Sequence, residues 1–375
     1  MTNKSVVIHA KGDAFRWSVE DKPIPEAVTG SIVIKILVAP LVQFLGTHYR
    51  GGMAFTHDVP MVPGMNAVGR VHSVGNDATA LKEGDLVILD PTITARDEPG
   101  NQLLQAFMAG ITPGANKLAN EVWKDGVWAQ YARVPTENVY KLDEERLVKE
   151  MGYSLADLTL IQTCCVGFGG LSKAGLKPGD TLIVAPATGR FSGATVLVAL
   201  AMGVSVVAAG RRQDALDELA AAMKENASLL KTVLLTGDAE KDIEAFSKAV
   251  GARGADVYID LSPAAITGTP SYLTAGISNL RHSGTVVLMG GVLGDISLPY
   301  FPIMFKNLTI HGRFMYSRDQ MLQIIKLAEN GRLPLGKRCG VETVADFSLD
   351  QLEQALDEAE KYKGWSGIVN IVPNL

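Results

Sequence analysis

The sequence predicts an α/β protein in which a doubly wound parallel sheet is inserted into a mostly β domain. Three observations predict it. After residue 153, short runs of β-branched residues alternate with helix-forming stretches, the texture of a parallel sheet with helices on both faces. Before about residue 141 the apolar runs are short and bounded by glycine and proline, which reads as strands and turns. The last run, Gly367-Ile-Val-Asn-Ile-Val372, stands alone after the alternation has ended and is expected to return to the first domain. The boundaries expected are residues 1–153 for the first part of the β domain, 154–306 for the sheet domain, and 307–375 for the completion.

Within the first part, Ser31-Ile-Val-Ile-Lys-Ile-Leu-Val38 and Asp85-Leu-Val-Ile-Leu89 are strands, closed by turns at Gly30, Pro40, Gly84 and Pro91. Leu81-Lys-Glu-Gly-Asp85 is echoed by Leu176-Lys-Pro-Gly-Asp180, each a tight turn into a strand. Residues 92–123 carry few strand signals and read as a long loop with a helical segment, a length usually given to binding walls. Further on, strands are expected at 181–187, 205–210, 231–236, 255–261, 285–291 and 308–314, with helices at 194–202, 214–225, 239–250 and 272–280. Two capping boxes, Ser317-Arg-Asp-Gln320 and Ser348-Leu-Asp-Gln351, announce two more helices, stopped by Gly331 and Gly364.

At 375 residues the chain is long for one domain and suggests two. A net charge of −5 without any basic run offers no field for nucleic acid, so a small molecule is the expected partner. Three cysteines, Cys164, Cys165 and Cys339, cannot form a disulfide framework or a four-cysteine zinc knot, which fits a cytoplasmic setting. The start lacks the apolar core and cleavage site of a secretory signal. Residues 193–210 are as long and uncharged as a minimal membrane span, but Gly203 divides them into a helix-length and a strand-length piece, so buried core rather than membrane is expected.

The turn Thr188-Gly-Arg-Phe-Ser-Gly193 lies between the first strand and first helix of the alternating part. Gly189 and Gly193 remove side chains where backbone approaches a pyrophosphate, whose charge sits against the free N–H groups of a helix start. The next strand runs into Gly210-Arg211-Arg212, where an acidic residue would accept the ribose hydroxyl of NAD and arginines match a 2′-phosphate. NADPH is therefore the expected cofactor. Leu261, Ser262, Gly290 and Gly291 should line it from the ends of two later strands.

Val62-Pro-Gly-Met-Asn-Ala-Val-Gly-Arg-Val-His-Ser-Val-Gly75, the Gly-Asp turns, Gly126-Val-Trp-Ala-Gln-Tyr-Ala-Arg-Val-Pro135 and the Ala-Thr-Gly loop together resemble the medium-chain dehydrogenase/reductase superfamily, over nearly the whole chain. The resemblance implies a chaperonin-10-like (GroES-like) catalytic domain, a Rossmann domain, and an active site in the cleft between them. It also implies departures. The positions resembling the family's catalytic zinc ligands hold Gln43, Met65 (followed by Asn66) and a cysteine near Cys164, and residues 90–122 lack the four cysteines of a structural zinc. An amide, a thioether and one thiol are not a three-ligand zinc site. No metal is expected, and the chain resembles the zinc-independent branch of quinone and enone reductases.

Ser192 replaces the third glycine of the family's turn and Phe191 precedes it; Gly193 is expected to restore the close approach, and Arg190 either covers the pyrophosphate or lies on the surface. Without a metal, hydride goes to an acceptor activated by conjugation or by a hydrogen-bond donor. Candidate donors are His48 and Tyr49, the quinone reductase branch carrying a tyrosine at the position matching His48. Asn66 and Gln43 donate hydrogen bonds but are not acids. His9, His57, His72, His282 and His311 are scattered without ligand spacing. Phe107, Trp123, Trp128 and Phe168 are read as core or as walls of an apolar pocket. By family analogy Phe314 walls the nicotinamide, and residues 298–305 pair two subunits into a homodimer. The reading is an NADPH-dependent oxidoreductase acting on an activated C=C, quinone or C=N bond of a lipophilic small molecule. Its alternatives are a carbonyl reductase or secondary alcohol dehydrogenase of the same fold, and an NADPH-binding sensor or scaffold without turnover.

Overall fold

The computed structural model describes residues 2–53, 57–264 and 266–375. They form two compact units. The first holds the chain up to Gln162 together with Glu342–Lys363 and Gly367–Leu375; the second holds Thr163–Val341 and Gly364–Ser366.

The first unit is built on a sheet that runs, among the described residues, Glu342–Phe347, Gly367–Ile371, Ser31–Leu41, Val68–Val74, Leu86–Leu89 and Val139–Lys141, with Tyr131–Pro135 paired to Ser31–Leu41. The lone carboxyl-terminal run does return: Gly367–Ile371 lies antiparallel to Ser31–Leu41, Val369 opposite Leu41 and Ile371 opposite Ala39. Ile32, Ile34 and Ile36 are wholly buried, and a hairpin of Thr2–Ala10 and Arg16–Pro23 lies beside the sheet. Residues 92–123 are less irregular than expected. Thr92–Thr94 pairs with Gln102–Leu104, and Thr112 caps the helix Pro113–Lys117 by accepting the Ala115 N–H at 3.1 Å.

The second unit is a parallel sheet whose order is Leu230–Leu234, Ser205–Gly210, Thr181–Ala185, Ala255–Asp260, Leu280–Leu288, Thr309–Gly312. Numbered within the unit this is 3-2-1-4-5-6, the doubly wound order, with its reversal between Thr181–Ala185 and Ala255–Asp260. Both strands at that point are apolar on both faces because helices cover them: Leu182, Ile183, Val184 and Ile259 are fully buried. The helices Arg190–Ala201, Gln213–Ala222, Ala239–Val250 and Ser271–Ser278 alternate with the strands as the sequence predicts.

Two expectations are corrected. The return to the first unit begins at Glu342 and not at 307, because Thr309–Gly312 adds to the parallel sheet beside Leu280–Leu288, Thr285 facing Thr309. The helix after Ser348 ends at Lys361, before Gly364, although both capping boxes form. The apolar stretch after Gly193 divides into Arg190–Ala201 and Ser205–Gly210 as expected; among the described residues the span long and apolar enough to cross a membrane is Leu155–Lys173, and 72% of its most apolar window is buried within the protein.

Candidate active site and cofactor loop

In the second unit, the residues expected to hold a cofactor gather at the carboxyl ends of adjacent strands. Gly189 caps the helix Arg190–Ala201, and its N–H is taken by Ser192 Oγ at 3.0 Å. Ser192 therefore closes the turn on itself, a job the third glycine of the family's loop does not do. Gly210 ends its strand where a Cβ would lie 3.0 Å from Thr188 Cγ2, so the absent side chain lets the loop approach. Arg211 and Arg212 follow, both exposed, but they are not equivalent: the Arg212 guanidinium is paired with Asp214, Nε to Oδ1 at 3.0 Å.

The ends of the next two strands interlock. Ser262 Oγ donates to Asp260 Oδ1 at 2.6 Å and lies 2.8 Å from the Tyr272 hydroxyl. Gly291 N–H donates to Ser262 O at 2.8 Å, and a Cβ on Gly290 would lie 2.4 Å from Asp260 Oδ2. Burial pushes the Asp260 carboxyl up, while N–H groups of Ser262 and Gly290 and the Ser262 hydroxyl pull it down. Leu261 N–H donates to Ala185 O at 3.2 Å, tying this corner to the first strand. Phe314 is 44% exposed.

Two loop residues are engaged within the protein. Arg190 does not lie on the surface: it is buried with Cys164 and Cys339 nearby, and burial lowers it to about 10, still a cation at neutral pH. Gly193 gives its missing side chain to a protein group: a Cβ there would lie 2.8 Å from Trp365 Cε3. Trp365, which sequence reasoning passed over, is 2% exposed and donates from Nε1 to Cys339 O at 2.7 Å. A lone tryptophan after Gly364 carried no sequence signal for this.

In the first unit the short helix Leu45–Tyr49 carries both expected donors. It is fixed at its end by Arg50, whose guanidinium bonds Glu353 at 2.6 Å and Asp357 at 2.8 Å. Tyr49 is fully buried, with its hydroxyl accepting the Gly64 N–H at 2.9 Å and donating to Ala106 O at 3.0 Å. Burial drives its pKa upward. Its oxygen is thus committed to holding two loops together, and the geometry gives Tyr49 a structural task.

His48 is 1% exposed, with its ring centroid 4.3 Å from that of Phe107 and 5.3 Å from that of His57. Its Nε2 lies 3.2 Å from His57 Nε2. Burial, then the neighbouring His57 and Lys11, hold His48 down to about 3, against a pull the other way from the Phe107 backbone. Burial, then Lys11 and Lys124, do the same to His57, also about 3. Both imidazoles are neutral at physiological pH. His57, dismissed on spacing, is brought to His48 by the tertiary fold alone. Asn66 Nδ2 reaches Gln162 Oε1 at 3.4 Å, so that amide is engaged within the protein.

The donor set does not fit a catalytic zinc. The family's ligand positions offer the amide of Gln43 and the thioether of Met65, and among the described residues no three His, Cys, Asp or Glu side chains converge to hold a metal. Cys164, Cys165 and Cys339 are buried and form no disulfide among the described residues, and burial raises the Cys164 thiol.

Residues 29–144 match the alcohol dehydrogenase GroES-like domain and residues 193–330 the zinc-binding dehydrogenase domain. A probable D-xylulose reductase A of Aspergillus clavatus is 30% identical over 350 residues, 92% of this chain and 91% of the relative. Among solved structures, 2R,3R-butanediol dehydrogenase from Bacillus subtilis superposes with a TM-score of 0.75 at 20% identity, covering 99% of this chain and 100% of that one. A short chain alcohol dehydrogenase from Escherichia coli, complexed with NADH, gives 0.75 at 19% identity over 99% of each chain. The chain belongs to the medium-chain dehydrogenase/reductase superfamily. It is an oxidoreductase with a GroES-like and a Rossmann domain.

Proposed function

We propose that this oxidoreductase interconverts a carbonyl compound and its secondary alcohol, a polyol being the leading class, using NADP(H) and no zinc. The observation that carries it is the 30% identity with a D-xylulose reductase across nearly the full length of both chains. This moves the weight from the expected enone or quinone acceptor to the alternative of a carbonyl reductase. Thr188, Gly189 and Ser192 hold the loop for the pyrophosphate at a helix start, and Gly210 with Arg211 recognises the 2′-phosphate. The nicotinamide supplies the hydride. His48 supplies the proton to the carbonyl oxygen, and it does so as a neutral imidazole, since its pKa of about 3 leaves no imidazolium at working pH.

The second reading, reduction of an activated C=C, quinone or C=N bond, is favoured by the amide and thioether at Gln43 and Met65, which offer no Lewis acid to a plain ketone. Turnover of D-xylulose, butane-2,3-diol, 2-cyclohexenone, benzoquinone and a cyclic imine with NADPH or NADH separates the two. Oxidation of the diol or reduction of the sugar supports the first; activity confined to the conjugated acceptors or the imine overturns it. Binding of NADPH with no turnover of any of these would leave the sensor reading. Metal analysis of the active protein tests the absence of zinc.

Two copies are proposed to pair through the helix Tyr300–Phe305 and the neighbouring edge strand Thr309–Gly312. Support comes from Tyr300, Phe301 and Phe305, which are 78%, 63% and 67% exposed, far beyond what a lone surface helix needs. Sedimentation of Phe301→Glu against the parent chain tests this, a monomeric parent being the contrary result.

A further inference from the structure

A neutral imidazole that donates a proton from one nitrogen becomes an imidazolate unless the other nitrogen takes one up in the same event. His48 is placed to meet that demand. Its Nδ1 is buried and without a hydrogen-bond partner among the described residues, the Phe107 backbone being the group that favours the protonated ring, while its Nε2 faces His57 Nε2 at 3.2 Å. Two such nitrogens at that distance share one proton, so one ring donates and the other accepts. His48 is sealed from solvent and His57 is only half-buried, so the couple leads from a closed site outward. The charged groups around it are Lys11, whose Nζ donates to His57 O at 3.3 Å, Lys124, and Asp58 acting on Lys11; Tyr49 packs edge-on against His48. The two lysines oppose any positive charge on the rings. The couple is built to pass a proton without storing a cation.

We propose that His57 is a positioning residue for the reaction, fixing the tautomer of His48 and returning to it the proton that the substrate removes. The inference rests on His48 being the proton donor. In the reducing direction the Nδ1–H bond of His48 breaks as the O–H bond of the product forms. The Nε2–H bond of His57 breaks as that of His48 forms, and His57 Nδ1 takes a proton from water. Each ring ends neutral in its other tautomer, and no electrons move between them. The alcohol-oxidising direction runs the same transfers backwards.

The test uses the full chain carrying ¹⁵N-histidine. Nuclear magnetic resonance of the native protein is expected to show His48 protonated on Nδ1 and His57 on Nε2, both neutral from about pH 5 to 8. In His57→Ala, His48 is expected to lose its single tautomer and to titrate at higher pH, because the deletion relieves the burial that is the main cause of its lowered pKa. An unchanged His48 signal overturns the proposal. With whichever acceptor of the panel turns over, His57→Ala should lower kcat on the order of 10- to 100-fold, leave NADPH affinity unaltered, and regain rate with added imidazole. Native kcat in His57→Ala, or a loss that imidazole does not restore, overturns it. If His57→Ala does not fold, His57→Gln, whose amide cannot relay, is read by the same signals. Full turnover in His48→Gln removes the donor reading itself; an inactive His48→Gln beside a fully active His57→Ala removes only the relay.

Discussion

The indole of Trp365 lies on Gly193 so closely that a Cβ at that position would meet its ring at 2.8 and 3.0 Å. Trp365 cannot yield easily, because it is 2% exposed and its Nε1 is anchored to Cys339 O at 2.7 Å. Gly193→Ala is therefore expected to cost about 1–3 kcal/mol, the usual cost of overpacking a filled core. Thermal denaturation would read this as a fall in Tm. Trp365→Phe, which shortens the obstructing ring, should recover part of the loss when combined with Gly193→Ala. A glycine needed only for pyrophosphate would instead show an unchanged Tm and weaker NADPH binding.

Two buried tyrosines should respond oppositely to loss of the hydroxyl. Tyr49 satisfies the Gly64 N–H and the Ala106 carbonyl, so Tyr49→Phe leaves two backbone groups unpaired and should cost about 1–3 kcal/mol. Tyr258 is fully buried beneath Gly276, and its hydroxyl makes no hydrogen bond among the described residues. Tyr258→Phe removes a desolvated group that has no partner, and stability should hold or rise. Urea midpoints measure both; a large loss in Tyr258→Phe would show that its hydroxyl is satisfied after all.

Asp260 makes stability depend on pH in an identifiable window. Burial raises its pKa in the folded chain, so from the ordinary carboxylate value up to the raised one the unfolded chain is ionised while the folded chain keeps its proton. Folding takes up a proton there, and stability falls as pH rises; above the window the loss is complete and constant. Asp260→Asn should flatten this decline, seen as urea midpoints that converge with the parent's at one end of the window and part at the other. Parallel curves would mean that Asp260 keeps its ordinary pKa.

The parallel sheet and the returning strand were legible in the sequence because burial on both faces leaves uninterrupted apolar runs such as Leu182-Ile-Val184, and because Gly367–Ile371 had no helix left to alternate with. The nucleotide loop was legible as a turn but not in its detail. Ser192 and Gly193 make their contacts to Gly189 and Trp365, and the second of these comes from the far end of the chain. The domain boundary near 307 was misplaced because Thr309–Gly312 has only a short, half-buried edge pattern, Thr-Ile-His-Gly, which does not announce which sheet it joins. His57 was invisible for a physical reason: a histidine couple has no periodicity, and the nine-residue separation of His48 and His57 is not a helix or strand repeat.

Cofactor preference should turn on one arginine of the pair. Both follow Gly210, but Arg212 already spends its guanidinium on Asp214, whereas Arg211 carries no ion pair among the described residues. A 2′-phosphate competing for Arg212 has to displace that carboxylate, and Arg211 has no such rival. Arg211→Ala should weaken NADPH binding by on the order of tenfold, the scale of one charge-assisted hydrogen bond, and leave NADH nearly unaltered. Arg212→Ala should have the smaller effect, and Asp214→Ala, by releasing Arg212, should tighten NADPH. Titration calorimetry of the three variants with both dinucleotides reads the order directly. Equal losses for NADPH and NADH in Arg211→Ala would assign this arginine to the shared part of the dinucleotide and remove the case for the phosphorylated one.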